Sequence, residues 1–134
     1  MAAQLSDGDE VLFRQVHPNS LALGVPGSNC FMPTQADHHM LSLDRSSLTT
    51  AEMAHRLYTS AGRRSAAVFG LSVSEFRDSD IPCFEDPVTG HHTLPDNAAH
   101  ALADFSAHDR QHQKIVAKRL KRLAIARGCM FEAS

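Results

Sequence analysis

A chain of 134 residues with 43% hydrophobic and 21% charged side chains has the size of one domain and is too apolar to be disordered. No window approaches the ~18 uninterrupted apolar residues of a membrane helix. The opening, Met1 to Glu10, has no basic region followed by an apolar one, so neither a membrane span nor an export signal is expected. The net charge of −2 hides a dipole: residues 1–109 carry 14 acidic against 6 basic side chains, whereas residues 110–127 carry 7 basic and none acidic. Such a block is either an interaction surface or a complement to the acidic remainder.

In chain order, residues 1–9 read as a polar leader to a single domain spanning 1–134. Val11 to Val16 reads as a strand. Pro18, Asn19, Gly24, Pro26 and Gly27 then make His17 to Asn29 a loop with a short extended piece at Leu21 to Leu23. Cys30 to Met32 reads as a second extended piece cut off by Pro33, and Met40 to Leu43 as a brief half-buried strand. The spacing Thr49-Thr50-Ala51-Glu52 fits a capping box. It predicts a helix from Thr50 to Ala61 with Met53, Ala54, Leu57 and Ala61 on its apolar face, ended by Gly62.

Ser65 to Val73, small and uncharged, reads as the most buried strand, and Ser74-Glu75-Phe76 as one helical turn. Residues 78–90 form an irregular acidic stretch. Residues 93–105 admit a helix capped by Asp96, but the alternation Ala99, Ala101, Ala103, Phe105 favours a strand. Ser106 to Asp109 then caps a long helix, near Ala107 to Arg127, with Ile115, Val116, Leu120, Leu123 and Ala124 as its apolar stripe. The expected fold is α+β: a small, mainly antiparallel sheet of four or five strands packed against two helices.

Leu12-Phe13-Arg14-Gln15-Val16-His17-Pro18, Phe31-x-Pro33-Thr34-x-x-Asp37, Leu41-Ser42 and the Thr50-Ala51-Glu52 helix start together resemble the pattern of a group of small uncharacterised bacterial proteins. The likeness extends through Asp86-Pro87, His100-Ala101 and a basic last helix. It covers roughly Leu12 to Phe131 and implies a bacterial cytoplasmic origin, but no chemistry, because no activity is known for that group. Met32 and His38-His39 depart from the pattern, where charged residues are usual. Cys30, Cys83 and Cys129 are odd in number and widely spaced, which also suits reduced thiols in a cytoplasm.

For ligand binding, the candidates are Arg14, His17, Ser28, Thr34 and Asp37. They come from the end of the first strand and the connections beyond it, where arginine can grip an anion with two parallel hydrogen bonds and histidine can add a third or move a proton. The ligand would be phosphorylated or nucleotide-like. An early-strand arginine followed by Ser28-x-x-Phe31 resembles ADP-ribosyltransferase-like folds, which grip a nicotinamide dinucleotide. The late glutamate of those folds has no clear counterpart, since Glu75 and Glu85 lie in other contexts. The structural alternative has Arg14 paired with an acidic loop.

Nine histidines raise the question of metal. His108 and His112 would share a helix face, with Asp104, His100 or Cys83 completing a shell, but neither CxxC nor HExxH is present. The expectation is no metal and no cofactor. The pairs His38-His39 and His91-His92 read as surface loops. Neither Cys30 nor Cys83 has a thiolate-stabilising context.

Lys114, Lys118, Arg119, Lys121 and Arg122 are candidates for a partner surface, with an acidic protein favoured over nucleic acid because no nucleic-acid motif accompanies them. The leading expectation is therefore a small cytoplasmic accessory or partner-binding protein without catalytic activity of its own, with the basic helix and the loop from His17 to Asp37 as contact surfaces. The alternative is a small enzyme or ligand-binding protein acting through Arg14 and His17, and whether the chain is an enzyme stays open.

Overall fold

The computed structural model describes residues 2–134; Met1 lies outside the described residues. The strands are β1 (Val11–Val16), β2 (Leu21–Ala22), β3 (Val25–Pro26), β4 (Met40–Arg45), β5 (Ala67–Ser72), β6 (Cys83–Glu85), β7 (His100–Asp104) and β8 (Phe131–Glu132). The α-helices are α1 (Ala51–Ser60), α2 (Val73–Arg77) and α3 (Arg110–Arg127). Six strands form one sheet in the order β6-β7-β4-β1-β5-β8, and β2-β3 form a separate hairpin. Every pairing is antiparallel. The α+β class is as expected; the sheet is larger because β6 and β8 are too short to show a period.

One face of the sheet carries the main core. Leu12, Val16, Leu41, Leu43, Phe69, Leu71, Ala101 and Ala103 pack there with Phe31, Phe76, Ala117, Leu120 and Ala124. The other face has a smaller cluster of Phe13, Ala54 and Val68, joined by Phe131. β5 is buried throughout, as its uncharged composition predicts, because both faces are covered. In β7, Ala101 and Ala103 are 0% exposed while His100 and Leu102 are half-buried. That period of two selects strand over helix for this segment.

Several local expectations are corrected. Of Cys30 to Met32 only Met32 is extended: Ser28–Phe31 is a 3₁₀ turn that inserts Cys30 and Phe31 into the core. Residues 1–9 are not a leader free of the domain, since Leu5 is buried and its N–H donates to the Cys83 carbonyl, while Glu85 N–H donates to Ala3. These bonds cover the edge strand β6. The cap of α1 is Thr50, whose hydroxyl accepts from Met53 N–H, rather than Thr49. Asp109, rather than Ser106, caps α3 by accepting from His112 N–H at 2.8 Å.

The buried stripe of α3 is also rotated. Gln113, Ala117, Leu120 and Ala124 face the core, and Ile115 is 61% exposed. Gln113 is tolerated at 0% exposure because its Nε2 donates to the Phe105 and His108 carbonyls at 3.2 and 3.0 Å; a saturated amide carries little burial penalty.

Candidate functional site

The expected ligand group is not gathered in one place. Arg14 lies on the core face of β1 between Leu12 and Val16, where β1 and β4 pair only at Leu12–Arg45 and Phe13–Asp44 and then diverge. Its guanidinium fills that gap: Nε donates to the Cys30 carbonyl at 2.7 Å and Nη1 to the Ser42 carbonyl at 3.0 Å. Burial lowers its pKa, opposed by Tyr58, Cys30 and Asp37. Arg14 thus stitches diverging strands together through backbone oxygens, not an acidic loop.

His17 is exposed, and its Nδ1 accepts from Asn19 N–H. Ser28 opens the 3₁₀ turn, and the Asp37 carboxylate accepts from the N–H and hydroxyl of Thr34 in an exposed turn. Burial opposes the Asp37 charge, but the two Thr34 bonds prevail and its carboxyl stays below the ordinary range.

The concave site is on the opposite face. The apolar side of α1 only partly meets the sheet: Ala54 is buried, whereas Leu57 and Ala61 stand over open space. Between α1 and the loop 86–97 is a cavity of about 300 Å³, the lower end of the range for ligand pockets. The loop is held across its neck by paired backbone bonds between Val88 and Asn97, at 2.9 and 2.8 Å. Phe13, Asp44 and His100 form one row across β1, β4 and β7, because Phe13 pairs with Asp44 and Asp44 with His100. Adjacent strands are about 4.8 Å apart, so the row crosses the cavity floor. Arg14 is the one expected ligand residue in its wall.

The polar groups of this floor are held firmly. Asp44 Oδ1 accepts from Asn97 Nδ2 at 2.7 Å, and Asn97 Oδ1 accepts from Ala99 N–H. Burial pushes the Asp44 carboxyl above its usual range, against the Asn97 bond and the nearby His100. His100 Nδ1 lies 3.0 Å from Asp86 Oδ2 and 3.1 Å from the Asp86 carbonyl oxygen. Gln15, also in the wall, has a buried Nε2 without a hydrogen-bond partner, while its Oε1 accepts from Ser65. At the rim, Arg63 stacks 5.3 Å from the Tyr58 ring centroid. None of Asp44, Asp86, Gln15 or Asn97 stands out in sequence as a site residue, because they converge from two strands and a loop.

The remaining candidates are placed as follows. His108 and His112 have ring centroids 6.4 Å apart; His108 Nε2 bonds the Ser79 carbonyl and His112 Nδ1 bonds Asp109. Cys30 and Cys83 are buried, and burial raises both thiols, Cys83 to about 12. That suits inert core residues.

On α3, Arg119 donates to the Asp78 carbonyl and the Ser79 hydroxyl. Lys114, Lys118 and Arg122 are exposed and Lys121 half-buried, all four without an ion pair among the described residues. Lys121 borders an open cleft against Ala22, Val25 and Pro26 of the β2-β3 hairpin. No helix among the described residues is long and apolar enough to cross a membrane. Comparison of the chain with protein-family models, curated proteins and solved structures found no match.

Proposed function

We propose that the protein binds a small organic molecule in the cavity between α1 and the loop 86–97. The observation that carries this reading is a concave, partly open space with apolar walls from Phe13, Leu57, Val88 and Leu94 over a floor of anchored polar groups, the combination by which ligand pockets hold and orient a small molecule. The reading keeps the ligand-binding alternative but moves its site away from His17, Ser28, Thr34 and Asp37. It also disfavours a phosphate-bearing ligand, because Nε and Nη1 of Arg14 already serve backbone carbonyls.

Saturation-transfer NMR with cyclopentanone, dihydroxyacetone and benzamide tests it. Contact is expected with wild type and should disappear in Ala61→Trp, which blocks the mouth from an exposed position; equal contact in both proteins argues against the cavity.

A second reading, docking of an acidic protein partner, is supported by a different observation. Four cations of α3 are free of ion pairs among the described residues, Ile115 and Ile125 are 61% and 40% exposed beside them, and the hairpin tip presents a fully exposed Leu23. Helix and hairpin thus both offer exposed contact to a partner, positive charge with apolar side chains on the helix and apolar contact at the hairpin tip, and Lys121 borders the cleft between them. Charge reversal by K118E/R122E should weaken partner capture at least tenfold while leaving the cavity probes bound; unchanged capture removes this reading.

A further inference from the structure

We propose that His100 is a general base within this cavity, removing a proton from the carbon next to the carbonyl of a small neutral ketone or aldehyde, with Asp44 supplying a proton to the carbonyl oxygen. This rests on the reading that the cavity binds a small molecule, and assigns it a chemistry.

The tautomer of His100 follows from its partners. Nδ1 faces two acceptors, the carboxylate and the carbonyl oxygen of Asp86, so Nδ1 carries the hydrogen and the neutral ring presents the Nε2 lone pair. No hydrogen bond occupies Nε2 among the described residues. A carboxylate that orients one imidazole nitrogen while the other stays free is an arrangement suited to proton abstraction. Only one other histidine among the described residues pairs with a carboxylate, His112 with Asp109, and its side chain is 66% exposed against 20% for His100.

One donor complements that base. Asp44 is the cross-strand neighbour of His100, and its burial favours the protonated carboxyl, which can give a hydrogen to an oxygen. One lone pair and one donor match a carbonyl oxygen beside an ionisable C–H, and the cavity of about 300 Å³ limits the molecule to a compact one.

The step balances without a co-reactant. The C–H bond breaks, its proton goes to Nε2, and its electron pair forms the carbon–carbon double bond. The carbonyl oxygen takes the Asp44 proton, giving an enol, an imidazolium and a carboxylate. Return of both protons restores the protein groups and leaves the hydrogen exchanged with solvent or moved to a neighbouring carbon.

The test follows loss of α-protons from dihydroxyacetone and cyclopentanone in D₂O by proton NMR, with saturation transfer reporting binding in the same samples. Wild type should exchange about 10²-fold faster than His100→Gln, with Asp44→Asn also slowed while probe contact persists. Probe contact with exchange no faster than in His100→Gln overturns the base and leaves the binding reading intact. Neither contact nor exchange overturns both. Should His100→Gln fail to fold, Ala61→Trp replaces it: wild-type exchange rates with the mouth blocked overturn the proposal.

Discussion

Arg14 shows how a charged side chain becomes structural. Alternation along β1 places it between Leu12 and Val16 on the core side, and the divergence of β1 from β4 leaves the Ser42 carbonyl to accept from a side chain instead of a strand. Removing the donor strands two carbonyl oxygens, so Arg14→Met should destabilise the fold by about 2–4 kcal/mol, measured by urea unfolding.

Asp44 predicts a pH effect of definite sign. Its folded-state pKa is raised above 3.8, so its contribution to stability is present at low pH and is lost as pH rises through the folded value. Asp44→Asn keeps an acceptor for Asn97 and removes that loss, so its unfolding midpoint should fall less than that of wild type as pH rises above the unfolded-state value; an identical pH dependence would contradict the assignment. At this scale the residue types were legible and their roles were not. The sequence signals Arg14 as a candidate, but only the backbone around it shows that its donors are already used.

Helix α1 carries its sequence signature openly, with a threonine cap, an apolar side and a terminating glycine at φ +84°. Thr50→Ala should cost about 1 kcal/mol, seen as a lower thermal midpoint. What the period could not reveal is that this apolar side covers a cavity rather than packed side chains, since amphipathicity reports which side faces inward and not what it meets. The same limit rotated α3, where Gln113 occupies a core position that no hydrophobic count would assign.

Gly70 of β5 makes an element-scale prediction, because a Cβ there would sit 2.5 Å from Met130 Sδ and 2.7 Å from Val11 Cγ1. Gly70→Ala should therefore destabilise by about 1–3 kcal/mol through overpacking, and a neutral result would mean that the chain after α3 does not close over β5.

For the whole molecule, two acid groups tie distant segments. Glu10 accepts from Arg45 and Ser47, and Glu75 from Arg127 and the Ser72 N–H. In both, burial opposes the charge but the hydrogen bonds prevail, holding the carboxyl below the ordinary value of 4.5. Their contribution is complete above that unfolded-state value and is lost as pH falls through the folded one. The urea midpoint should therefore decline below about pH 4.5, and Glu10→Gln should flatten that decline; an unchanged slope counts against the Glu10–Arg45 link.

The charge dipole legible along the chain resolves unevenly. Arg127 closes onto Glu75, and Arg110 and Arg119 onto backbone carbonyls, while Lys114, Lys118 and Arg122 stay exposed.

By itself the sequence determined the α+β class, the strands β1, β4, β5 and β7, and the two longer helices. Local periodicity, capping residues and glycine stops act over a few neighbouring positions, and those positions are adjacent in the chain. The tertiary structure alone decided the short edge strands, the rotation of α3 and the meeting of Gln15, Asp44, Asp86 and His100 around one cavity. Those features depend on pairing between segments 14 to 85 residues apart, and such pairing is set by how two sheet faces are covered rather than by any pattern within a segment.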